Sequence, residues 1–304
     1  MSKHWSSYCL MSIVHFMAFP ETSGGQGPIA ETVRRIAEDD FFDAIELAWI
    51  KNAAQRRQVS QILECSQLQV CGCAHPAILS QKLSLNHLDH VQRVEAVGQM
   101  KVLIDQAAEI GARRFALLSG PDPGDALRQQ AITNLTASLR ELCDFARPRG
   151  VALALETFDR SIDKKALVGP VADAACVARA LRTDYADFGL LYDLSHMPLL
   201  NEAPQHMGVI KEYLVHVHVG NCVLQEGHSS YGDKHPTFGC SGGVNGVEEL
   251  AKFIRGLLDI GYLAEGKSPL PWIGFEVKPQ GTGQTSEIVI ANAKRTWRQA
   301  WARI

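Results

Sequence analysis

Four residues carry the chemistry that this chain can do on paper: Glu156, Asp193, His218 and Glu276. Leu190-Leu191-Tyr192-Asp193 continues into Leu194-Ser195-His196, and His216-Val217-His218 into Val219-Gly220-Asn221. Runs this short and apolar read as buried strands, and an Asp or a His at the mouth of one makes a poor hydrophobic core. Val151-Ala152-Leu153-Ala154-Leu155-Glu156 and Trp272-Ile273-Gly274-Phe275-Glu276 place a carboxylate in the same way. Three carboxylates and an imidazole form a mostly hard, oxygen-rich set suited to Mn²⁺, with Mg²⁺, Co²⁺ and Zn²⁺ as alternatives. Zinc more often recruits extra His or Cys. Taken singly, each has a plainer reading. A Glu that ends a strand is more often a capping or ion-pair group, and a lone His can be a packed core histidine. On a pleated strand His216 and His218 share a face, so only one need reach an ion. The recurrence at four successive strand ends is what points to metal binding.

The elements that must bring the four together follow from periodicity. Strands are predicted over 13–19, 44–50, 68–73, 114–119, 151–156, 188–193, 213–219 and 272–277. Helical spacing covers 29–38, 53–65, 89–110, 125–146, 171–181, 247–258 and 285–302. Strands apolar on both faces and alternating with helices argue for a parallel sheet covered by helices, and eight strands close a barrel. The expectation is one (β/α)₈ TIM barrel over 12–304, with 1–11 as an N-terminal extension. In such a barrel all strand C-termini share one rim. Neighbouring strand ends lie about 5 Å apart, so side chains from strands five to eight can converge. The loop over 222–246, rich in Gly, His and Ser, is too long to be idle.

Composition narrows the class. The 304 residues are 46% hydrophobic and 21% charged with a formal net charge of −3, an ordinary globular balance. The slight acidity and the lack of a Lys/Arg block exclude an electrostatic footprint for nucleic acid. No run of about 18 apolar residues suggests a membrane span, and the N-terminus does not read as a secretory signal. The eight cysteines fall mostly in apolar runs and read as reduced thiols in a cytoplasmic protein. Cys71-Gly72-Cys73 is spaced too tightly for the usual zinc knuckle.

Together, Leu155-Glu156, Asp193-Leu194-Ser195-His196, His216-Val217-His218, Gly232-Asp233-Lys234-His235 and Phe275-Glu276-Val277 resemble the xylose-isomerase-like TIM-barrel superfamily of sugar isomerases, epimerases and endonuclease IV. The resemblance implies one divalent ion held by Glu156, Asp193, His218 and Glu276. It also implies a carbohydrate substrate from which a proton next to a carbonyl is abstracted, with Glu156 and Glu276 as base and acid. His196 matches the family's substrate-contacting His, so it is expected at the substrate as a catalytic or binding residue, or else to orient a carboxylate. His75, Lys164, Asn221 and His235 are the further candidates for substrate contact; for Lys164 a solvated loop is the plain alternative.

Two departures bear on the choice of subfamily. Ile162 and Leu224 stand where ketose 3-epimerases carry a Glu and an Arg, which weakens a free-ketohexose reading. Glu156-Thr157-Phe158-Asp159, Gly220-Asn221, Asp233-Lys234-His235-Pro236 and Phe275-Glu276-Val277-Lys278-Pro279 also look like the α-subunits of C-glycoside deglycosidases. Those act on 3-oxo-glycosides by β-elimination, with a small β-rich partner chain, and His15, His75 or His235 would be the extra acid or base. The expected assembly is therefore a homo-oligomer or that hetero-oligomer. An endonuclease IV-like nuclease lacks its strand-four His here, where Ser119-Gly120-Pro121 stands. A non-catalytic sugar-binding protein is the alternative of a different class.

Overall fold

A computed structural model describes residues 3–304. Eight strands, β1 (Leu10–Ile13), β2 (Ala44–Leu47), β3 (Gln69–Cys73), β4 (Arg114–Leu118), β5 (Ala152–Glu156), β6 (Gly189–Asp193), β7 (Leu214–Val219) and β8 (Trp272–Phe275), pair in parallel in the order β1-β8-β7-β6-β5-β4-β3-β2. The β1–β2 seam is drawn shut by a parallel bridge between Val14 and Glu46. The Asp43 amide also donates to Met11 O at 2.8 Å, and the Met11 amide to Asp43 Oδ2 at 2.9 Å. The result is a single (β/α)₈ barrel.

The helices are α1 (His15–Ala18), α2 (Ile29–Ala37), α3 (Ala53–Ser66), α4 (His75–Gln81), α5 (His90–Glu109), α6 (Asp125–Ala146), α7 (Val171–Arg182), α8 (His196–Leu199), α9 (Val247–Asp259) and α10 (Ser286–Trp301). Side-chain caps start several of them: Asn52 accepts from the amides of Ala54 and Gln55 ahead of α3, and Asp89 from Gln92 ahead of α5. No helix among the described residues is long and apolar enough to cross a membrane.

Alternation along each strand makes two different cores. Ile45, Leu47, Phe115, Leu153, Leu155, Tyr192, Val217 and Phe275 face the helices in one large cluster. The inward positions are smaller: Ala44, Cys71, Cys73, Ala116, Ala154 and Leu191. They share the interior with buried polar groups, Ser12, Glu46, His216 and His218. The bulky outer face seats the helices, and the small inner face leaves room for chemistry at the rim.

Two expectations need correction, and one helix departs from a simple amphipathic pattern. The first strand is Leu10–Ile13 rather than 13–19, because the chain turns into α1 as soon as β1 passes its last partner in β8, Phe275. Of the expected extension, residues 1 and 2 lie outside the described residues, but Tyr8, Cys9 and Met11 are buried and β1 begins within it. The apolar residues Val91 and Val94 belong to the helical pattern of α5 yet are 74% and 54% exposed; α5 is apolar on both sides, and only Ala96, Val97, Met100, Leu103, Ile104 and Ala107 face the barrel.

Candidate metal centre and active site

Glu156 and Asp193 are the last residues of β5 and β6, His218 is the penultimate residue of β7, and Glu276 follows β8 directly. Asp193 is level with His218 in the β6–β7 register, and the Glu276 amide still donates to Val219 O at 3.0 Å, prolonging the strand by one bond. One ligand atom from each of the four lies within 4.8 Å of the others. The side chains are buried, and each turns a polar atom into the shared space without a hydrogen bond: Glu156 Oε1, Asp193 Oδ2, His218 Nδ1 and Glu276 Oε2. His218 Nδ1 is 2.8 Å from Glu276 Oε2, but the alignment makes it an ion-pair contact rather than a hydrogen bond. Buried polar atoms without partners are costly and rare. Four of them, three anionic, converging on one point is what a bound cation resolves. The donors present therefore fit a divalent ion.

The other ring edge of His218 is fixed by a residue the sequence reading did not single out. Glu46 on β2 is fully buried. Its Oε2 accepts from His218 Nε2 at 2.9 Å, and its Oε1 from Ser12 Oγ at 2.6 Å and His216 Nε2 at 3.1 Å. Holding the Nε2 proton this way commits Nδ1 to the acid cluster, the usual device by which a carboxylate orients a metal-binding imidazole. Burial alone would raise the Glu46 carboxyl; His216 and His218 outweigh it and hold the group well below its usual range. The signal for Glu46 was a charged residue at an inward position of β2, in step with Ala44.

Glycine makes that contact possible. A Cβ on Gly274 of β8 would sit 2.2 Å from Glu46 Oε1 and 2.8 Å from His218 Cδ2. Gly274→Ala is expected to cost about 1–3 kcal/mol of stability from overpacking and to weaken Mn²⁺ binding as Glu46 is pushed off His218. Denaturant unfolding and a metal titration read the two effects separately.

A second buried cluster lies against the first. Asp233 Oδ1 accepts from His196 Nε2 at 3.1 Å and lies 2.6 Å from His235 Nε2, while Oδ2 pairs with Lys164 Nζ at 2.9 Å. Lys164 is placed by fully buried Asp159, whose carboxylate accepts from the amides of Ile162, Asp163 and Lys164 at 2.7–2.8 Å. Burial pushes His196 down, but Asp233 and Asp193 raise it to about 10. His235 is likewise lowered by burial and lifted by Glu276 and Asp233, to about 9. Asp193 is pushed up to about 6, chiefly by burial, with His196 opposing and Glu276 adding.

A cavity of about 340 Å³ opens above these groups, and its lining includes His75, Lys164, Asp233, His235 and Glu276. His75, the first residue of α4, has Nε2 2.9 Å from Glu156 Oε2. Three of the sequence candidates lie outside the cavity lining. His196 is fully buried, with Nδ1 donating to Thr157 O at 2.7 Å and Nε2 on Asp233, which is the carboxylate-orienting one of its two expected roles. Asn221 is also outside the lining. Its Oδ1 accepts from the amides of Cys222 and Asn245 at 2.9 and 2.7 Å, and its Nδ2 donates to Thr237 O at 2.9 Å, so it ties down the 222–246 loop. His15, whose Nε2 is bound to Thr32 Oγ1 at 2.8 Å, is held down to about 3 by burial and stays a neutral core residue. Asn221→Ala should lower stability by about 1–3 kcal/mol, since two buried amides lose their acceptor, with a smaller effect on metal affinity; thermal melts and a metal titration decide this.

An eight-stranded α/β barrel with an acid–imidazole cluster at its C-terminal rim is the class defined by this geometry. The chain belongs to the xylose isomerase-like TIM barrel family, whose description matches residues 33–287. No curated protein matches it significantly. Among solved structures it is similar to the IOLI protein with a bound zinc atom, at 14% identity and a TM-score of 0.74 over 97% of this chain and 98% of that one. It is also similar to D-allulose 3-epimerase from Methylomonas sp., at 16% identity and a TM-score of 0.70 over 96% and 98%. A third is 3-keto-D-glucoside 4-epimerase from E. coli, at 16% identity and a TM-score of 0.66 over 90% and 95%. At these identities the likeness is one of fold.

Proposed function

We propose that this protein is a divalent-metal-dependent sugar isomerase or epimerase, with Glu156, Asp193, His218 and Glu276 as ligands and Mn²⁺ as the ion. The observation that carries the reading is the set of four buried, unpartnered ligand atoms within 4.8 Å of one another. Solved relatives of the same fold that are named as a 3-epimerase and a 4-epimerase of sugars support it, as does the zinc in a third. The ion, when bound, would polarise a carbonyl and its neighbouring hydroxyl and so acidify the C–H between them.

The protein's own groups supply the rest. Glu276 faces the cavity and can take or return the proton on one side of the sugar. On the other side Glu156 stands behind His75, whose ring lines the cavity and whose Nε2 is 2.9 Å from Glu156 Oε2. A proton on Glu156 can therefore reach substrate directly or through that ring. Lys164 and His235, locked by Asp233, offer fixed donors to sugar hydroxyls. All eight cysteines are free, in keeping with a cytoplasmic setting.

A second reading, β-elimination from a 3-oxo-glycoside, keeps one observation on its side. Phe16, Met17, Pro20, Pro76 and Leu79 form an apolar side of the cavity.

Elemental analysis of the purified protein, followed by ketose and 3-oxo-glycoside screens in D₂O, tests both. One divalent ion per chain is expected, with chelation abolishing turnover and Mn²⁺ restoring it. Deuterium entering the sugar without loss of a leaving group identifies epimerisation. Release of the aglycone, or co-purification with a small β-rich chain, identifies elimination. Full turnover of metal-free protein would sink both.

A further inference from the structure

We infer that the barrel interior beneath the rim holds a second cation site, built from Cys71, Cys73 and Glu46, with His216 bound to that Glu46, and suited to a thiophilic ion such as Zn²⁺. Cys71-Gly72-Cys73 is too tight for a knuckle by itself, but the fold adds a carboxylate from β2 and sets an imidazole from β7 against it. Cys71 and Cys73 stand two apart on β3, so both point into the barrel, while a Cβ on Gly72 would point outward, at Ala107 and Phe115. Cys71 is paired with Glu46 across the β2–β3 register, and the two sulfurs and a Glu46 oxygen lie within 4.8 Å of one another. From β7 comes His216. Its Nε2 is 3.1 Å from Glu46 Oε1, and its Nδ1 is fully buried with no hydrogen-bond partner.

The donors are unlike those of the rim. Two thiolates and a carboxylate oxygen form a softer, zinc-type set, where the rim offers three carboxylates and one imidazole. A disulfide is the competing use of the pair. Residues two apart on a strand have Cα atoms about 6.6 Å apart, near the upper end of the disulfide range at about 6.8 Å. Closing one would bend a strand that is paired on both sides. An ion at about 2.3 Å from each sulfur asks for no such movement. On binding, each thiol that is still protonated gives up its proton to solvent.

The site shares Glu46 with the rim, so its test is spectroscopic and its variants are confined to the two cysteines. Protein saturated with Mn²⁺ is titrated with Cd²⁺, and the ultraviolet thiolate-to-cadmium charge-transfer band is followed. One further equivalent is expected to produce the band. Cys71→Ser and Cys73→Ser should each remove it, with Mn²⁺ binding retained as the check on folding. Cys65→Ser and Cys176→Ser, at exposed positions, should leave it intact. No band in the wild-type protein, or one that survives the Cys71 and Cys73 changes, overturns the proposal. If those variants do not fold, alkylation of the wild-type protein in mild urea, mapped by peptide, decides the matter. Cd²⁺ must protect Cys71 and Cys73 selectively, and equal labelling with and without Cd²⁺ rejects the site.

Discussion

Glu276→Gln is expected to lower turnover by about 10²- to 10⁴-fold, and excess Mn²⁺ should not restore it. The carboxylate is the one proposed ligand among the cavity-lining side chains, so of the four it is the most directly placed to meet both the ion and the substrate carbon. Gln keeps the shape and one coordinating oxygen but cannot accept and return a proton. Its signature is therefore a fall in kcat with a nearly full complement of metal, together with loss of solvent deuterium exchange into the substrate. A variant rescued by added Mn²⁺ would reduce Glu276 to a ligand and move the proton transfer to the His75–Glu156 side.

Glu46→Gln should show the opposite pattern. This residue does not line the cavity and is not one of the four proposed rim ligands; it holds His218 by Nε2 at 2.9 Å and His216 at 3.1 Å. Removing its charge loosens the ring orientation and the basicity of Nδ1, which by analogy with other carboxylate–imidazole–metal arrangements weakens binding about 10- to 100-fold. Turnover at saturating Mn²⁺ should then recover most of the wild-type value. Titration of Mn²⁺ by electron paramagnetic resonance, with circular dichroism to confirm the fold, separates the two parameters. Unchanged affinity with lost turnover would mean that Glu46 acts in another way.

Much of the candidate site was legible before any coordinates. Polar groups that end apolar runs have few uses besides a rim, and Glu156, Asp193, His218 and Glu276 were found on that ground. Glu46 was not, because in isolation Ala44-Ile45-Glu46-Leu47 also reads as a strand with one face in water. Closure of the barrel is what puts that face in the dark and turns Glu46 into a buried anion that must find partners. His196 and Asn221 show the reverse. Their positions in the motifs are as expected, but their bonds to Asp233, Thr157 O and the loop amides hold them outside the cavity lining. Spacing in a chain says which residues lie near a rim; it does not say which lone pairs remain free there.

Periodicity and composition alone determined the eight-stranded barrel, the rim and the four converging side chains, since burial of alternating apolar residues is a local matter of pattern. Tertiary structure decided which nitrogen of His218 faces the acids, which histidines still reach the cavity, and that Cys71 and Cys73 meet Glu46. Those are settled by hydrogen bonds and contacts across the barrel, between residues as many as 172 positions apart, where only the closed fold fixes distance and direction.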